Sequence, residues 1–304
     1  MNPHLTLNLL DDVHQLLAYR FMVNALQAAS VVAVMAAVVG WFMVLRRETF
    51  AGHTLSAMSF PGAAAAALTG LPLALGYFVF CVAGAGVIAA ASGEGGGVGG
   101  GSTQQPAVIG TVQAGAFAVG FLLLSVYGGV LESLETLLFG SILGVTRGQV
   151  LTLTIIAVCA LAFLAVVGRP LFFASVDGAL ARASRVPVRA LTSAFLIVLA
   201  LAVAATAQIT GVLLVFALLV APAAIARELT ARVGLGLALS VIVGLLVAWV
   251  GLGLSYFTNY SPGFFVTSVA LVLFVAARST RGVLAARGRR AGRSPRRLAG
   301  SLGG

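Results

Sequence analysis

The chain contains no lysine, and only 9% of its 304 residues are charged. Soluble domains carry roughly 25% charged residues, so a surface facing water on all sides is excluded. The missing lysine also excludes a phosphate-binding loop of the G-x-x-x-x-G-K-[ST] kind, which needs a lysine at the phosphates. ATP hydrolysis of that kind therefore requires another subunit. Two cysteines, Cys81 and Cys159, each sit in an apolar segment, which leaves no disulfide framework and no thiolate cage. Three histidines are too few for a rich metal cage. No H-E-x-x-H and no Ser/His/Asp arrangement is present, so catalysis within the chain lacks a motif. All eight acids lie in loops or at segment ends, whereas a carrier driven by protons or sodium keeps ionisable groups inside its spans.

What the chain has in abundance is apolar residues, 60% of the total. A hydrocarbon core about 30 Å thick needs roughly 20 apolar residues per helix, and such runs recur along nearly the whole length. The expected fold is all-α: a polytopic membrane protein with eight to nine transmembrane helices, some broken or re-entrant. The nine spans read Phe21–Leu45, Thr54–Thr69, Leu71–Ala91, Pro106–Val126, Gln149–Val167, Val188–Thr206, Gly211–Ala226, Val233–Phe257 and Gly263–Ala277. Residues 8–20 place Leu9, Leu10, Val13, Leu16 and Leu17 on one face, which predicts a short interfacial helix. Asn8, Asp11, Asp12 and His14 interrupt this stretch, so no removable signal peptide is expected. Leu131–Gly144, with Glu132 and Glu135, reads as a helical hairpin or re-entrant piece. Pro61, Pro222 and Pro262 lie within or at the start of apolar segments, where a missing N–H breaks or bends a helix. Small residues at four-residue spacing (Gly236, Ser240, Gly244, Ala248; Gly62, Ala66, Gly70) predict close helix packing ahead of any lining role.

The net charge of +10 comes from 18 arginines against eight acids. With nine crossings and an external N-terminus, Arg46, Arg47, Arg169, Arg182, Arg185, Arg189, Arg227, Arg232 and the eight arginines after Ala277 fall inside; only Arg20 and Arg147 fall outside. The positive-inside rule favours that arrangement. Were Gly211–Ala226 re-entrant, the arginine tail would lie outside. The basic tail 278–304 is expected in the cytoplasm against anionic lipid, each arginine near the surface adding about 1 kcal/mol. It has no stacking aromatics between its arginines, so nucleic acid is not expected as a partner. Residues 92–103, SGEGGGVGGGST, form a flexible loop by composition. Their chance G-x-G-x-x-G match has neither the preceding strand nor the acidic residue that a dinucleotide site requires.

His53 stands at the start of the second apolar segment, in LRRETFAGHTLSAMSFPG (Leu45–Gly62). An imidazole at a helix mouth can ligate a transition metal, with Ser56 one turn on. The alternative is a histidine that caps or hydrogen-bonds a helix start, and the residues alone leave both open.

That passage resembles the signature of the zinc and manganese permease family of ATP-binding-cassette importers, which reads R-R followed by G-D-x-L-[AS]-H-x-x-x-x-G. Three further blocks agree in order: LLFGSILGVT (Leu137–Thr146), ITGVLLVFALLVAPAAIARELT (Ile209–Thr230) and NYSPGFFVTSVALVLF (Asn259–Phe274). The resemblance implies a permease domain over 1–277 and import of a divalent transition metal, zinc or manganese and possibly iron, with no permanently bound cofactor. The implied partners are a cytoplasmic ATPase, an extracytoplasmic metal-binding receptor and a second copy of the chain, at the cell membrane. It places His53 on the translocation path, near the external helix ends or in a dimer-facing cavity, with Ser56, Ser59 and Gly62 beside it. Where the family has aspartate and histidine one helical turn apart, this chain has His53 and Ala57. A lone neutral nitrogen holds a divalent ion less firmly than that pair. FFASVDGALARASRVPVRAL (Phe172–Leu191) resembles the family's S-P-D-x-A segment, implying a coupling helix within 172–187 whose Asp177, Arg182 and Arg185 contact the ATPase. A self-contained carrier or channel, and an importer of a chelate such as a siderophore or cobalamin, are the competing readings.

Overall fold

The computed structural model describes residues 18–91, 104–127, 144–176, 178–184, 187–212, 215–258 and 260–291; for 91, 104–106, 178, 179, 182 and 282–291 only the backbone is described. Among them are nine helices of 15 residues or more and one of six, with no strand. They are α1 (Arg20–Leu45), α2 (Thr49–Thr69), α3 (Leu73–Ala91), α4 (Gln104–Tyr127), α5 (Arg147–Val176), α6 (Gly178–Ala183), α7 (Val188–Thr210), α8 (Val215–Leu229), α9 (Val233–Thr258) and α10 (Pro262–Ala291). Each long helix coincides with one of the nine expected spans. Most of the expected interfacial helix, the glycine-rich loop and the 131–144 hairpin fall outside the described residues.

Seven of the nine long helices are long and apolar enough to cross a membrane: all but α2 and α8. The exceptions have physical reasons. Helix α2 has the length, at 21 residues, but His53, three threonines and two serines dilute its apolarity, and it is sheathed by α3, α4 and α7. Helix α8 has 15 residues, about 22 Å at 1.5 Å per residue, less than the hydrocarbon thickness.

Contacts between helices fix the direction of each. Asn24 near the start of α1 donates to the Val145 carbonyl just before α5 (3.4 Å), and Tyr19 stacks on Tyr256 at the end of α9 (6.4 Å between centroids). At the other end, Arg227 of α8 donates to the Val44 carbonyl (3.0 Å), and Glu228 pairs with Arg281 of α10 (2.7 Å). Helix α3 runs antiparallel to α2, since Cys81 meets Ser59 and Gly84 meets Leu55 and Met58. Helix α4 runs parallel to α2, since Gly110 meets Phe50 and Phe60 meets Phe121. The nine long helices thus alternate in direction, and α8 returns the chain to the end from which α7 departed. Arg46, Arg47, Arg227, Arg232, Arg278 and Arg281 gather at one end of the bundle, while Arg20 and Arg147 open helices at the other.

Small side chains make this packing possible. Helix α1 buries Ala25, Ala28, Ala29, Ala33, Ala36 and Ala37 and is the post on which α5, α7, α8 and α9 lean. Helix α7 is largely enclosed from Phe195 to Thr210, with Ile197 exposed. The stripe on α9 packs as its spacing predicts: Gly236 receives Trp41, the Ser240 hydroxyl donates to the Ala37 carbonyl at 3.1 Å, and Gly244 lies against Ala33 and Ala37. The prolines expected to break or bend helices do not interrupt them. Helices α2 and α8 run through Pro61 and Pro222, and Pro262 opens α10, where its missing N–H has no intrahelical partner to lose.

Candidate metal path and coupling end

Helix α2 starts directly after a tight turn from α1. Arg47 takes positive φ (60°), the Glu48 N–H returns to the Met43 carbonyl (3.0 Å), and Gly52 fits against the Met43 side chain. His53 therefore lies one helical turn from Glu48, level with the last turn of α1, at the arginine-bearing end. The expected position, near the external helix ends or in a dimer-facing cavity, is thus at the end of the bundle that carries Arg46 and Arg47.

The imidazole is half-buried and meets the ring of Phe216 edge-on at 5.0 Å, with 68° between planes. Its Nδ1 is enclosed and has no hydrogen-bond partner. Glu48 holds the N-cap position of α2, and His53 is its fifth residue. The Ser56 hydroxyl donates to the His53 carbonyl (2.7 Å) and Thr54 donates to Gln113 Oε1 of α4 (3.2 Å), which fixes this turn of α2. Ala57, the residue one turn on, is buried. Among the described residues no group of three or more His, Cys, Asp or Glu comes together.

The other expected path residues are engaged in packing. Ser59 is fully buried and exchanges a hydrogen bond with Cys81 Sγ (3.1 Å), while Gly62 abuts the Gly76 backbone on α3. Ser56, Ser59 and Gly62 follow His53 along α2, and the latter two face α3. Of the residues expected to meet the ATPase, Asp177 and Arg185 fall outside the described residues and Arg182 is described only as backbone in α6. Helix α6 does lie where the coupling helix was expected, between α5 and α7 and in contact with both.

Two features went unread in the sequence. The first is a buried ion pair between the end of α5 and the start of α7: Arg46 Nε to Glu48 Oε1 at 2.7 Å, both side chains under 5% exposed. Burial pushes the Glu48 carboxyl up to about 7, and Arg46 beside it works in the opposite direction. The R-R-E run could have signalled this, but both arginines read as topology signals. The second is a cavity of about 360 Å³ at the opposite end, lined by Tyr77, Gln149, Gln208 and apolar neighbours. Its lining comes from α3, α5 and α7 and from Pro72, Gly144 and Val145 before the first two, which only the fold brings together.

A bundle of apolar helices that alternate in direction, seven of them long and apolar enough to cross a membrane, defines a polytopic membrane protein. The chain belongs to the ABC 3 transport family, whose model matches residues 18–281. It is 31% identical over 205 residues to the manganese transport system membrane protein MntC of Halalkalibacterium halodurans, covering 67% of this chain and 68% of that one. A probable iron transport system membrane protein of Haemophilus influenzae is 28% identical over 199 residues, covering 64% of this chain and 70% of that one. Among solved structures, PsaBC from Streptococcus pneumoniae in complex with Fab aligns with TM-score 0.76 at 26% identity, over 88% of this chain and 95% of that one. A putative metal-chelate type ABC transporter in an inward-facing conformation aligns with TM-score 0.70 at 18% identity, over 91% of each chain, a likeness of fold.

Proposed function

We propose that the chain is the membrane-spanning permease subunit of an ATP-binding-cassette importer that moves a divalent transition metal into the cell, with manganese, iron and zinc as its candidate ions. The observation that carries this is the family match over 18–281, within which relatives named for manganese and iron transport align across about two thirds of the chain. Hydrolysis of ATP falls to a partner, since the chain has no lysine for a phosphate-binding loop. A metal-binding receptor outside, a second copy of the chain and an ATPase resting against α6 complete the working assembly. His53 contributes one nitrogen to the path. A weak site suits this role, because an ion in transit must leave as readily as it enters.

The arginine-bearing end faces the cytoplasm in this reading, which puts the N-terminus outside and the tail inside. Of the described carboxylates, Glu48 lies in a connecting turn and Glu228 at a helix end. No acid within a described span is thus available to a gradient-driven carrier, which favours the ATP-driven reading. The test is uptake of manganese, iron and zinc into proteoliposomes containing the chain with the ATPase that co-purifies with it. ATP-dependent uptake of any one of them is expected. Uptake that proceeds without the ATPase under an imposed ion gradient would replace this reading with the carrier.

A further inference from the structure

Arg46 leaves the end of α1 and turns its guanidinium inward, so that the residue is only 5% exposed. Its N–H groups reach three separate elements. Nε donates to Glu48 Oε1 in the α1–α2 turn at 2.7 Å, Nη1 to Ser175 Oγ at the end of α5 at 3.5 Å, and Nη2 to Thr192 Oγ1 in the first turns of α7 at 2.8 Å. Phe195 of α7 covers the guanidinium, 5.3 Å from ring centroid to charge centre. Both hydroxyls are set to accept: Ser175 gives its proton to the Leu171 carbonyl and Thr192 to the Val188 carbonyl (2.5 and 2.9 Å), which leaves lone pairs toward the arginine.

Ser175 stands one residue before the end of α5 and Thr192 four residues into α7. Between them runs the connection 177–187 that contains α6. One guanidinium therefore grips both flanks of that connection and joins them to the turn from which α2 departs toward His53. Stability alone does not call for this arrangement, since apolar residues of similar volume often serve as well as a buried ion pair. What they lack is directional bonds to three elements, which the planar fork of arginine supplies and an ammonium does not.

We propose that Arg46 is a positioning residue for transport: it clamps both flanks of the α6 connection to the α1–α2 turn, so that displacement of that connection by the ATPase is delivered to α2 and His53. This rests on the proposed function, in which the ATPase bears on α6. Arg46 touches no metal and no nucleotide.

The test uses the full complex of chain, ATPase and receptor in proteoliposomes, with manganese and zinc ions as probes. Metal uptake and ATP hydrolysis are measured together for wild type, Thr192→Val, Thr192→Ser and Arg46→Lys. Thr192→Val keeps the shape and removes the acceptor; Thr192→Ser keeps the acceptor. Thr192→Val should retain hydrolysis within about twofold while uptake per ATP falls about tenfold, the size of effect expected from losing a hydrogen bond to a charged group. Thr192→Ser should match wild type, and Arg46→Lys should behave like Thr192→Val. If Thr192→Val fails to assemble, Arg46→Lys decides the matter. A wild-type ratio in Thr192→Val or Arg46→Lys would overturn the proposal alone, as would an equal loss in Thr192→Ser, which would make packing the cause. A wild-type complex that hydrolyses ATP and takes up neither of these metals, nor iron supplied in their place, would overturn the functional reading, and the proposal with it.

Discussion

Gly62 and Gly76 meet backbone to backbone where α2 crosses α3, each occupying the space in which the other's Cβ would lie. A methyl group on Gly62 would strike the Gly76 carbonyl, and one on Gly76 would strike the Gly62 carbonyl and Ala66. Backbone cannot yield as a flexible side chain can, so the two helices would have to separate. Gly62→Ala and Gly76→Ala are each expected to destabilise the protein by about 1–3 kcal/mol, the usual range for overpacking. Gly86, whose added Cβ would meet nothing, serves as the control. Thermal inactivation of purified protein in detergent, followed by size-exclusion chromatography, measures the order: both variants below wild type, and Gly86→Ala close to it.

The two ends of the bundle should face opposite sides of the membrane. Reporter fusions placed after Ala277 are expected to read as cytoplasmic and those before Phe21 as external. A translocated C-terminal reporter would place the α6 connection and the arginine-bearing end outside, where no ATPase could reach them.

The order of the spans was readable because membrane solvation acts on each segment locally. Every helix needs a run of apolar residues, and most turns at one end of the bundle carry arginine, so nine segments and their alternation were legible in the sequence. Helix packing was readable to the extent that spacing carries it, as with Gly236, Ser240 and Gly244 on α9. Burial of charge was not. Arg46 looks like Arg47 in sequence, yet Arg46 is buried and Arg47 exposed, and only the arrival of Ser175, Thr192 and Phe195 from distant segments separates them. His53 stood out by its motif, but its ring contact with Phe216 did not, because α8 brings that side chain from far along the chain.

The two acids of the basic end should respond differently to neutralisation. Glu228 pairs with Arg281, whose side chain is 61% exposed, and such surface pairs contribute about 0.2–1 kcal/mol. Glu228→Gln is therefore expected to leave thermal stability nearly unchanged. Glu48 is enclosed with Arg46, and burial raises its carboxyl from 4.5 to about 7. Between those values the folded protein binds a proton that the unfolded chain has lost. The stabilising contribution of Glu48 is thus fully present below about 4.5 and lost as pH rises through about 7. Arg46 is the charged group facing it, and Ser175, Thr192 and Phe195 complete the enclosure of that pair. Melting midpoints measured from pH 5 to pH 8 should fall more steeply for wild type than for Glu48→Gln. Parallel slopes would mean that Glu48 stays ionised throughout.

His53 offers the most direct test of the metal path. Its Nδ1 is enclosed without a partner beside Phe216, and Ala57 one turn further on contributes only a methyl group. Residues at i and i+4 share a helix face, so Ala57→His would give the imidazole a second nitrogen within reach of the same ion. Ala57 is buried, so the larger side chain must displace its neighbours, and abundance has to be monitored alongside. His53→Ala is expected to lower uptake of manganese, iron or zinc in cells without lowering the amount of protein in the membrane. His53→Gln keeps a polar side chain and lacks the imidazole, so it should resemble alanine in uptake. In purified protein, Ala57→His should bind manganese or zinc more tightly than wild type by isothermal titration, and adding His53→Ala to it should abolish the gain. If uptake of all three ions is unchanged in His53→Ala at equal abundance, the free nitrogen beside Phe216 is a packing feature and the path runs elsewhere in the bundle.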